Sequence, residues 1–287
     1  MKVGIIGAGA WGTALGLTAA RGGNDVVMWS FDGMYKEFDG VDMPASLRVT
    51  PNMVEMRDMD AWLVVTPAAF FRETMLRARE FYAGQPIIIC TKGAEPSSGA
   101  FMSEVLTDVL PECGDYGVLS GPQFAAEVAR GVPTGSTLAA GARARAAGHQ
   151  ILNQLYLSDS DDIVGTEYCG VGKNAVALIC GYNFVAASGE NERAMIFTRA
   201  WGEVIDVAKK SGAHVETFLD LCGVGDLFLS ATSETSRNFS GGMAIARGEE
   251  IVGTVEGISA LRGIIARAAR ADVDVPVLCA MRDKMKL

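Results

Sequence analysis

The chain opens with MKVGIIGAGAWGTAL (residues 1–15), and this stretch decides the fold. Val3–Ile6 is a short apolar run that predicts a β-strand, and a glycine turn follows it directly. Ala10–Arg21 is rich in alanine and leucine, which predicts a helix that ends at the Gly22-Gly23 pair. Val26–Trp29 predicts a second strand, so the order is strand, glycine turn, helix, strand, the opening of a βαβ unit.

The turn GAGAWG at residues 7–12 has the spacing G-x-G-x-x-G. In a βαβ unit the first glycine permits a tight turn, the second lets a pyrophosphate approach the backbone, and the third lets helix and strand pack closely. The N–H groups of the first helical turn then face the phosphates. Because the motif lies between a strand and a helix, a dinucleotide site is favoured over a purely structural turn. Its predicted residues are Gly7, Gly9, Ala10, Trp11 and Gly12.

The end of the second strand indicates which dinucleotide is bound. An acid there hydrogen-bonds the ribose 2′-hydroxyl of NAD, whereas a nearby arginine accommodates the 2′-phosphate of NADP. Ser30 stands where the acid is expected, Phe31 follows, and Asp32 comes slightly late, where it would cap the next turn. The cofactor is therefore NAD or NADP, and the absence of an arginine from this segment favours NAD.

Further along the chain, short apolar runs alternate with helical patterns such as Phe70–Tyr82. The predicted strands are Trp62–Thr66, Ile87–Thr91, Gly117–Leu119 and Ser136–Ala139. This alternation is typical of a largely parallel sheet covered on both faces. After about Gly165 only helical patterns remain: Lys173–Ala187, Glu192–Ser211, Ser236–Arg247, Ser259–Ala271 and Pro276–Lys286. We expect an α/β protein with an N-terminal Rossmann dinucleotide-binding domain (1–164) and an all-helical C-terminal domain (165–287).

Composition excludes several classes. The chain has 287 residues, 49% of them hydrophobic, and 25 Lys and Arg against 34 Asp and Glu give a net charge of −9, which argues against a nucleic-acid partner. No stretch reaches the roughly 20 apolar residues of a membrane span. The six cysteines show no C-x-x-C spacing and there are two histidines, so we expect a reducing cytoplasm and no metal site.

An ordered set of motifs runs along the chain. They are GAGAWGTAL (7–15), TKG (91–93), SGPQFAAEVARGVPT (120–134), GKN (172–174), ENERAMIFTR (190–199), GVGDL (223–227), TSRN (235–238) and VEG (255–257). On these motifs the sequence resembles the bacterial-type NAD(P)-dependent glycerol-3-phosphate dehydrogenases, whose fold is a Rossmann domain followed by a helical domain.

The resemblance implies two catalytic residues. Lys173 is the general acid that protonates a carbonyl oxygen, and Asp226 lies near it. From the residues alone, we expect Lys173 at the start of a helix, where the positive end of the helix dipole would favour its neutral form. Asp226 is also well suited to cap the helix that follows it.

The resemblance also implies the residues that bind substrate and cofactor. The expected substrate contacts are Lys92, Gly121, Gln123, Asn174, Ser236, Arg237 and Asn238. The expected cofactor contacts beyond the glycine turn are Phe31, Lys92, Ala125, Arg237 and Glu256. Gln123 departs from the family, which usually has a hydroxyl residue there, and Phe31 stands where the family often has a basic residue.

The implied reaction is the reversible reduction of dihydroxyacetone phosphate to sn-glycerol 3-phosphate. Two alternatives stay open: a dehydrogenase for another phosphorylated hydroxyketone or hydroxyacid, suggested by Gln123 and the cluster Tyr182–Phe184, and a non-catalytic dinucleotide sensor. The partner is a small phosphorylated molecule. The sequence leaves open whether the chain works as a monomer or a homodimer.

Overall fold

A computed structural model describes residues 1–251 and 253–287. The chain divides into two compact units, Met1–Ile163 and Val164–Leu287. We call them unit one and unit two.

Unit one is an eight-stranded sheet with helices on both faces. Its strands are β1 (Lys2–Ile6), β2 (Asp25–Trp29), β3 (Leu47–Thr50), β4 (Ala61–Val64), β5 (Ile87–Ile89), β6 (Tyr116–Ser120), β7 (Gly135–Ala140) and β8 (Tyr156–Ser160). Its helices are α1 (Ala10–Arg21), α2 (Ala68–Ala78), α3 (Met102–Val109), α4 (Ala125–Arg130) and α5 (Ala142–Ile151), with 3₁₀ turns at Met53–Asp58 and Arg79–Phe81.

The strand order is β3-β2-β1-β4-β5-β6-β7-β8, and every neighbouring pair is parallel except β6 and β7. The chain therefore winds outward from β1 in both directions, as in doubly wound dinucleotide-binding folds. In such sheets, ligands bind beyond the carboxyl ends of the strands, where the order reverses. This places the glycine turn after β1 at the expected edge.

Two apolar layers hold the sheet. One layer packs β1, through Val3 and Ile5, against α1 and α5, and the other packs Trp62 of β4 against α2 and α3. Trp62 is fully buried and donates its indole N–H to the carbonyl of Met56 at 2.8 Å. Strands buried on both faces explain why nearly continuous apolar runs predicted them.

Every regular element in the described part of unit two is a helix, which confirms the predicted fold class. The helices are α6 (Ile163–Ala186), α7 (Glu190–Lys210), α8 (Asp226–Ala231), α9 (Arg237–Arg247), α10 (Glu256–Arg270) and α11 (Pro276–Lys284), with short helical turns at Val215–Leu219 and Leu221–Gly225.

The long helix α6 corrects one expectation. We predicted a helix start at Lys173, but α6 begins ten residues earlier and passes through three glycines before it reaches Lys173. Position 172 requires glycine because α7 packs closely against it: a Cβ there would lie 2.4 Å from Val204 Cγ1. Lys173 is therefore in the middle of a helix, and the argument from the helix dipole was wrong.

Candidate active site

The glycine turn has the geometry that a pyrophosphate requires. Gly7 has φ +116°, in the left-handed region that favours glycine, and a Cβ on Gly12 would lie 1.9 Å from the Gly7 carbonyl oxygen. A Cβ on Gly9 would meet nothing within 4 Å, so this backbone faces open space. No side chain caps the first turn of α1, which begins at Ala10. These residues therefore fit a dinucleotide, because an uncapped helix start offers N–H groups to phosphate.

Trp11 adds a polar group to this turn. Its indole Nε1 is buried and has no hydrogen-bond partner in the described residues. Its ring packs on the same small apolar cluster as Ala125, the first residue of α4, and this cluster includes Leu17 and Val128. The structure thus brings two predicted cofactor residues from separate segments to one place.

The segment after β2 forms a tight turn. Ser30 Oγ donates to the carbonyl of Met34 at 2.7 Å, and the Asp32 carboxylate accepts the Met34 N–H at 3.0 Å. The predicted turn-capping role of Asp32 is confirmed. Phe31 projects outward with its side chain largely exposed.

Lys92 and Gly121 meet at the carboxyl edge of the sheet. Lys92 follows β5 and donates its Nζ proton to the Gly121 carbonyl at 3.0 Å. Gly121 follows β6, and a Cβ there would lie 2.7 Å from Ser136 Cα, so only glycine fits between β6 and β7. Two of the predicted substrate residues are therefore in direct contact.

Only one of the two polar atoms of the Gln123 amide has a hydrogen-bond partner in the described residues. Its Oε1 accepts the Ser136 hydroxyl at 2.9 Å, whereas its Nε2 is buried without a partner in the described residues. The hydroxyls of Thr66 and Ser120, at the ends of β4 and β6, are also buried and lack partners there. Unpaired buried donors are costly, so their presence at one sheet edge points to a polar ligand.

The central feature of unit two is a buried ion pair. Lys173 Nζ lies 3.2 Å from Asp226 Oδ1, and the two side chains are 12% and 1% exposed. Lys173 also donates to Ser230 Oγ at 2.9 Å, and Ser230 donates to Asp226 at 3.3 Å. The three groups form a closed triangle that holds the ammonium in one position.

Two details of this triangle differ from expectation. Asp226 is the first residue of α8, but the N-cap is Gly225 and no side chain caps the helix, so the predicted capping role was wrong. Ser230 was missed altogether. It lies one helical turn after Asp226, and that i, i+4 spacing was the signal that could have found it.

A second cluster links α6, α9 and α10. Asn238 Nδ2 donates to Asn174 Oδ1 at 2.7 Å, and its own Oδ1 accepts the Gly257 N–H at 2.8 Å. Asn174 Nδ2 in turn donates to Glu256 at 3.3 Å. Glu256 begins α10, and its other oxygen lies 3.9 Å from Arg237 Nη2. The predicted residues of the TSRN and VEG motifs therefore gather around Asn174.

Ser236 and Arg237 form the start of α9. Ser236 caps the helix, accepting the Phe239 N–H at 3.4 Å. Arg237 follows with its side chain 69% exposed. A helix start next to an exposed guanidinium is a combination suited to a phosphate.

None of the hydrogen bonds described above involves a cysteine. All six are free thiols, and four of them, including Cys222 beside the GVGDL motif, are buried. Burial raises the pKa of the Cys180 thiol to about 12, so it stays protonated at neutral pH. Among residues 1–251 and 253–287, no group of His, Cys, Asp and Glu side chains could hold a metal ion. Within the same residues, none of the helices has the length and the continuous apolar character of a membrane span.

A Rossmann sheet with an open glycine turn and a separate helical unit with a buried lysine–carboxylate pair define the class, a dinucleotide-dependent dehydrogenase. Comparison with known families identifies which dehydrogenase family the chain belongs to. Residues 2–146 match the NAD-dependent glycerol-3-phosphate dehydrogenase N-terminus, and residues 162–284 match the C-terminus of the same family. The chain belongs to this family, and the predicted resemblance is confirmed.

Individual relatives of this chain carry the same family name. The chain is 39% identical to a glycerol-3-phosphate dehydrogenase [NAD(P)+] of Rhodospirillum rubrum over 302 aligned positions, covering 97% of this chain and 86% of the relative. One of Paramagnetospirillum magneticum is 40% identical and covers 83% of this chain and 92% of the relative. Among solved structures, glycerol-3-phosphate dehydrogenase of Coxiella burnetii has a TM-score of 0.87 at 28% identity, covering 99% of this chain and 94% of that one.

Proposed function

We propose that the chain catalyses the reversible reduction of dihydroxyacetone phosphate to sn-glycerol 3-phosphate with NADH or NADPH. Family membership supports the reaction class. The observation that carries the mechanism is the buried Lys173–Asp226 pair, with Ser230 bonded to both. Residues 1–164 are the proposed dinucleotide-binding domain, which also supplies three of the substrate contacts. Residues 165–287 are the proposed substrate-binding and catalytic domain, which also supplies two of the cofactor contacts.

Lys173 is the proposed proton donor. When bound, the dinucleotide supplies the hydride that the ketone carbon receives, or accepts it in the reverse direction. As the carbonyl double bond is lost, the Lys173 ammonium gives a proton to the oxygen and a hydroxyl forms. In reverse, the neutral amine removes that proton. Asp226 and Ser230 fix the position of Nζ, so the proton is delivered from one direction.

The start of α9 is the proposed phosphate site. The first N–H groups of a helix, here those of Arg237 and Asn238, have no partner within the helix, and the exposed Arg237 guanidinium adds a charge-assisted donor. The Asn238 side chain is already bonded at both ends. We therefore assign it to holding Asn174 in place, and its contact with phosphate to the backbone.

The other assignments rest on the family motifs and on the contacts described above. In unit one, Lys92, Gly121 and Gln123 are the proposed substrate contacts, because they follow strands at the sheet edge where Gln123 Nε2 and the hydroxyls of Thr66 and Ser120 are buried without partners in the described residues. The glycine turn, Phe31, Lys92 and Ala125 are proposed to hold the cofactor. In unit two, Asn174 and Ser236 complete the proposed substrate contacts, and Arg237 and Glu256 the proposed cofactor contacts.

We also propose a cytoplasmic location, because six unpaired thiols suit a reducing compartment. A homodimer is the proposed alternative to a monomer, and light scattering of the purified protein measures which is present.

The test is steady-state kinetics with dihydroxyacetone phosphate, following NADH and NADPH oxidation side by side. Replacing Lys173 with Ala should lower kcat by about 10²–10⁴-fold, the usual contribution of a general acid. Lys209→Ala is the matched control, because Lys209 is exposed on α7, and it should keep wild-type turnover. Near-normal turnover of Lys173→Ala would refute the assigned role. Turnover of a related phosphorylated hydroxyketone or hydroxyacid without turnover of dihydroxyacetone phosphate would refute the substrate.

A further inference from the structure

The turn after β2 offers no cation to the ribose of a bound dinucleotide. Its two polar side chains, Ser30 and Asp32, are hydrogen-bonded to the backbone of Met34. Asp32 carries a negative charge, which would repel a 2′-phosphate. On this segment alone, the chain would be expected to reject NADP.

The fold brings an arginine to this place from another part of the chain. Arg77, near the end of α2, lies with its Cζ 5.8 Å from the centroid of the Phe31 ring. Arg77 and Phe31 line one cavity of about 340 Å³, together with Trp29 at the end of β2 and Pro51 after β3. An arginine near the carboxyl end of the second strand is the feature that accommodates a 2′-phosphate in dinucleotide-binding folds.

Arg77 is available for such a role. Its guanidinium pairs with Glu73 one helical turn earlier at 2.6 Å, but both side chains are more than half exposed. An exposed pair of this kind contributes little, because water screens it. A phosphate dianion can accept two parallel N–H bonds from a guanidinium, which is a stronger interaction. Glu80 also lines the cavity and is exposed. A bound 2′-phosphate must therefore compete with Glu73 and Glu80 for the guanidinium.

We infer that Arg77 is the residue that determines how well the chain accepts NADP(H), by binding the 2′-phosphate beside Phe31. The inference rests on the proposed dinucleotide site. It makes Arg77 the functional substitute for the basic residue that Phe31 replaces, supplied by α2 rather than by the turn itself.

Titration calorimetry with two nucleotide probes tests this directly. Adenosine 2′,5′-bisphosphate carries the 2′-phosphate, and AMP lacks it. Arg77→Gln should weaken binding of the bisphosphate by about tenfold, the effect of one lost charge-assisted contact, and leave AMP within twofold. Arg79→Gln is the control, since Arg79 is also half exposed, pairs with Glu112 and does not line the cavity. It should change neither affinity. Arg77→Lys should recover part of the loss as a point charge.

The outcomes separate the inference from the function on which it rests. Equal bisphosphate affinity in wild type and Arg77→Gln would overturn the inference, as would an equal loss for AMP, which would mean that Arg77 shapes the cavity without contacting the 2′ position. Failure of AMP to bind the wild-type protein would instead contradict the proposed dinucleotide site. In kinetics, kcat/KM for NADPH should fall in Arg77→Gln by the same factor as the bisphosphate affinity, with kcat/KM for NADH unchanged.

Discussion

The Lys173–Asp226 pair makes a quantitative prediction about stability. Replacing Lys173 with Met keeps the apolar stem and removes the charge, which leaves a carboxylate that is 1% exposed without its ammonium counter-charge. Breaking a buried pair from one side costs about 3–5 kcal/mol, because the remaining charge stays buried after losing the opposite charge. Asp226 can take up a proton in response, so we expect the lower end, about 3 kcal/mol.

The opposite single change should cost less. Asp226→Leu leaves the Lys173 ammonium, but that side chain is 12% exposed and its flexible stem can turn the charge toward water. We expect a loss of about 2 kcal/mol. The double variant Lys173→Met/Asp226→Leu replaces the pair with apolar groups, which is often neutral. Its loss should therefore be well below the sum of the two single losses, with a coupling energy of at least about 2 kcal/mol.

Urea unfolding followed by circular dichroism measures all four proteins of this cycle. The exposed pair Arg247–Glu249, at 4.0 Å in the same unit, is the control, and its cycle should give no more than about 0.5 kcal/mol. If the Lys173 and Asp226 losses add to within about 0.5 kcal/mol, the two charges do not interact in the native protein. That result would also remove the physical basis of the proposed proton donor.

Two further predictions concern pH and packing. The hydrogen bond from Arg72, and to a smaller extent the one from Ser98, lowers the pKa of Glu95 below its ordinary value of 4.5. The Glu95 carboxylate therefore binds fewer protons in the native state than in the unfolded chain. This contribution to stability is complete above about pH 4.5 and is lost as the pH falls through the native pKa. Glu95→Gln should be less stable than wild type at pH 7, and the difference should shrink as the pH falls through the native pKa of Glu95. Urea titrations at several pH values measure it, and a constant difference would contradict the pairing. Gly181→Ala should lower the unfolding midpoint strongly or prevent folding, because its Cβ would lie 1.8 Å from the Phe239 carbonyl oxygen, whereas Gly202→Ala, with nothing within 4 Å, should be neutral or stabilising in the same experiment.

The dinucleotide half of the fold follows from local chemistry. The predicted helix Ala10–Arg21 has the observed bounds of α1, and the predicted Val3–Ile6 and Val26–Trp29 each miss one residue of their strands. These elements are central and buried, so their apolar runs are continuous and their ends are marked by glycines. At such positions the residues that favour the local strand or helix are also the residues that the buried environment requires.

Edge strands were missed for the opposite reason. β3 has the sequence LRVT and β8 has YLSDS, and neither forms a continuous apolar run. One side of an edge strand faces solvent and carries charged or polar residues that keep other strands away. Arg48 of β3, paired with Glu55, is an example. The pattern that identifies central strands is therefore absent where the sheet ends.

In unit two, local signals pointed to the wrong helix start. Gly170 and Gly172 suggested a turn before Lys173, yet α6 passes through both. Glycine lowers helix stability by about 1 kcal/mol relative to alanine. At position 172 the close contact with Val204 nevertheless requires a residue without a side chain. Residues kept small for tertiary packing look like helix breakers in a sequence, and only the partner helix distinguishes the two.

At the cofactor site, too, local sequence does not show which other elements pack against a segment, and this affects the expected preference for NAD. The segment Ser30–Asp32 favoured NAD because it lacks an arginine, which is a statement about neighbours in sequence. Arg77 enters this place from α2 and reaches the Phe31 ring. A 2′-phosphate interacts with whatever charge lies within hydrogen-bond distance, whichever segment supplies it. Specificity at the end of β2 must therefore be judged from every element that packs there, and the contribution of Arg77 is what the paired nucleotide titrations measure.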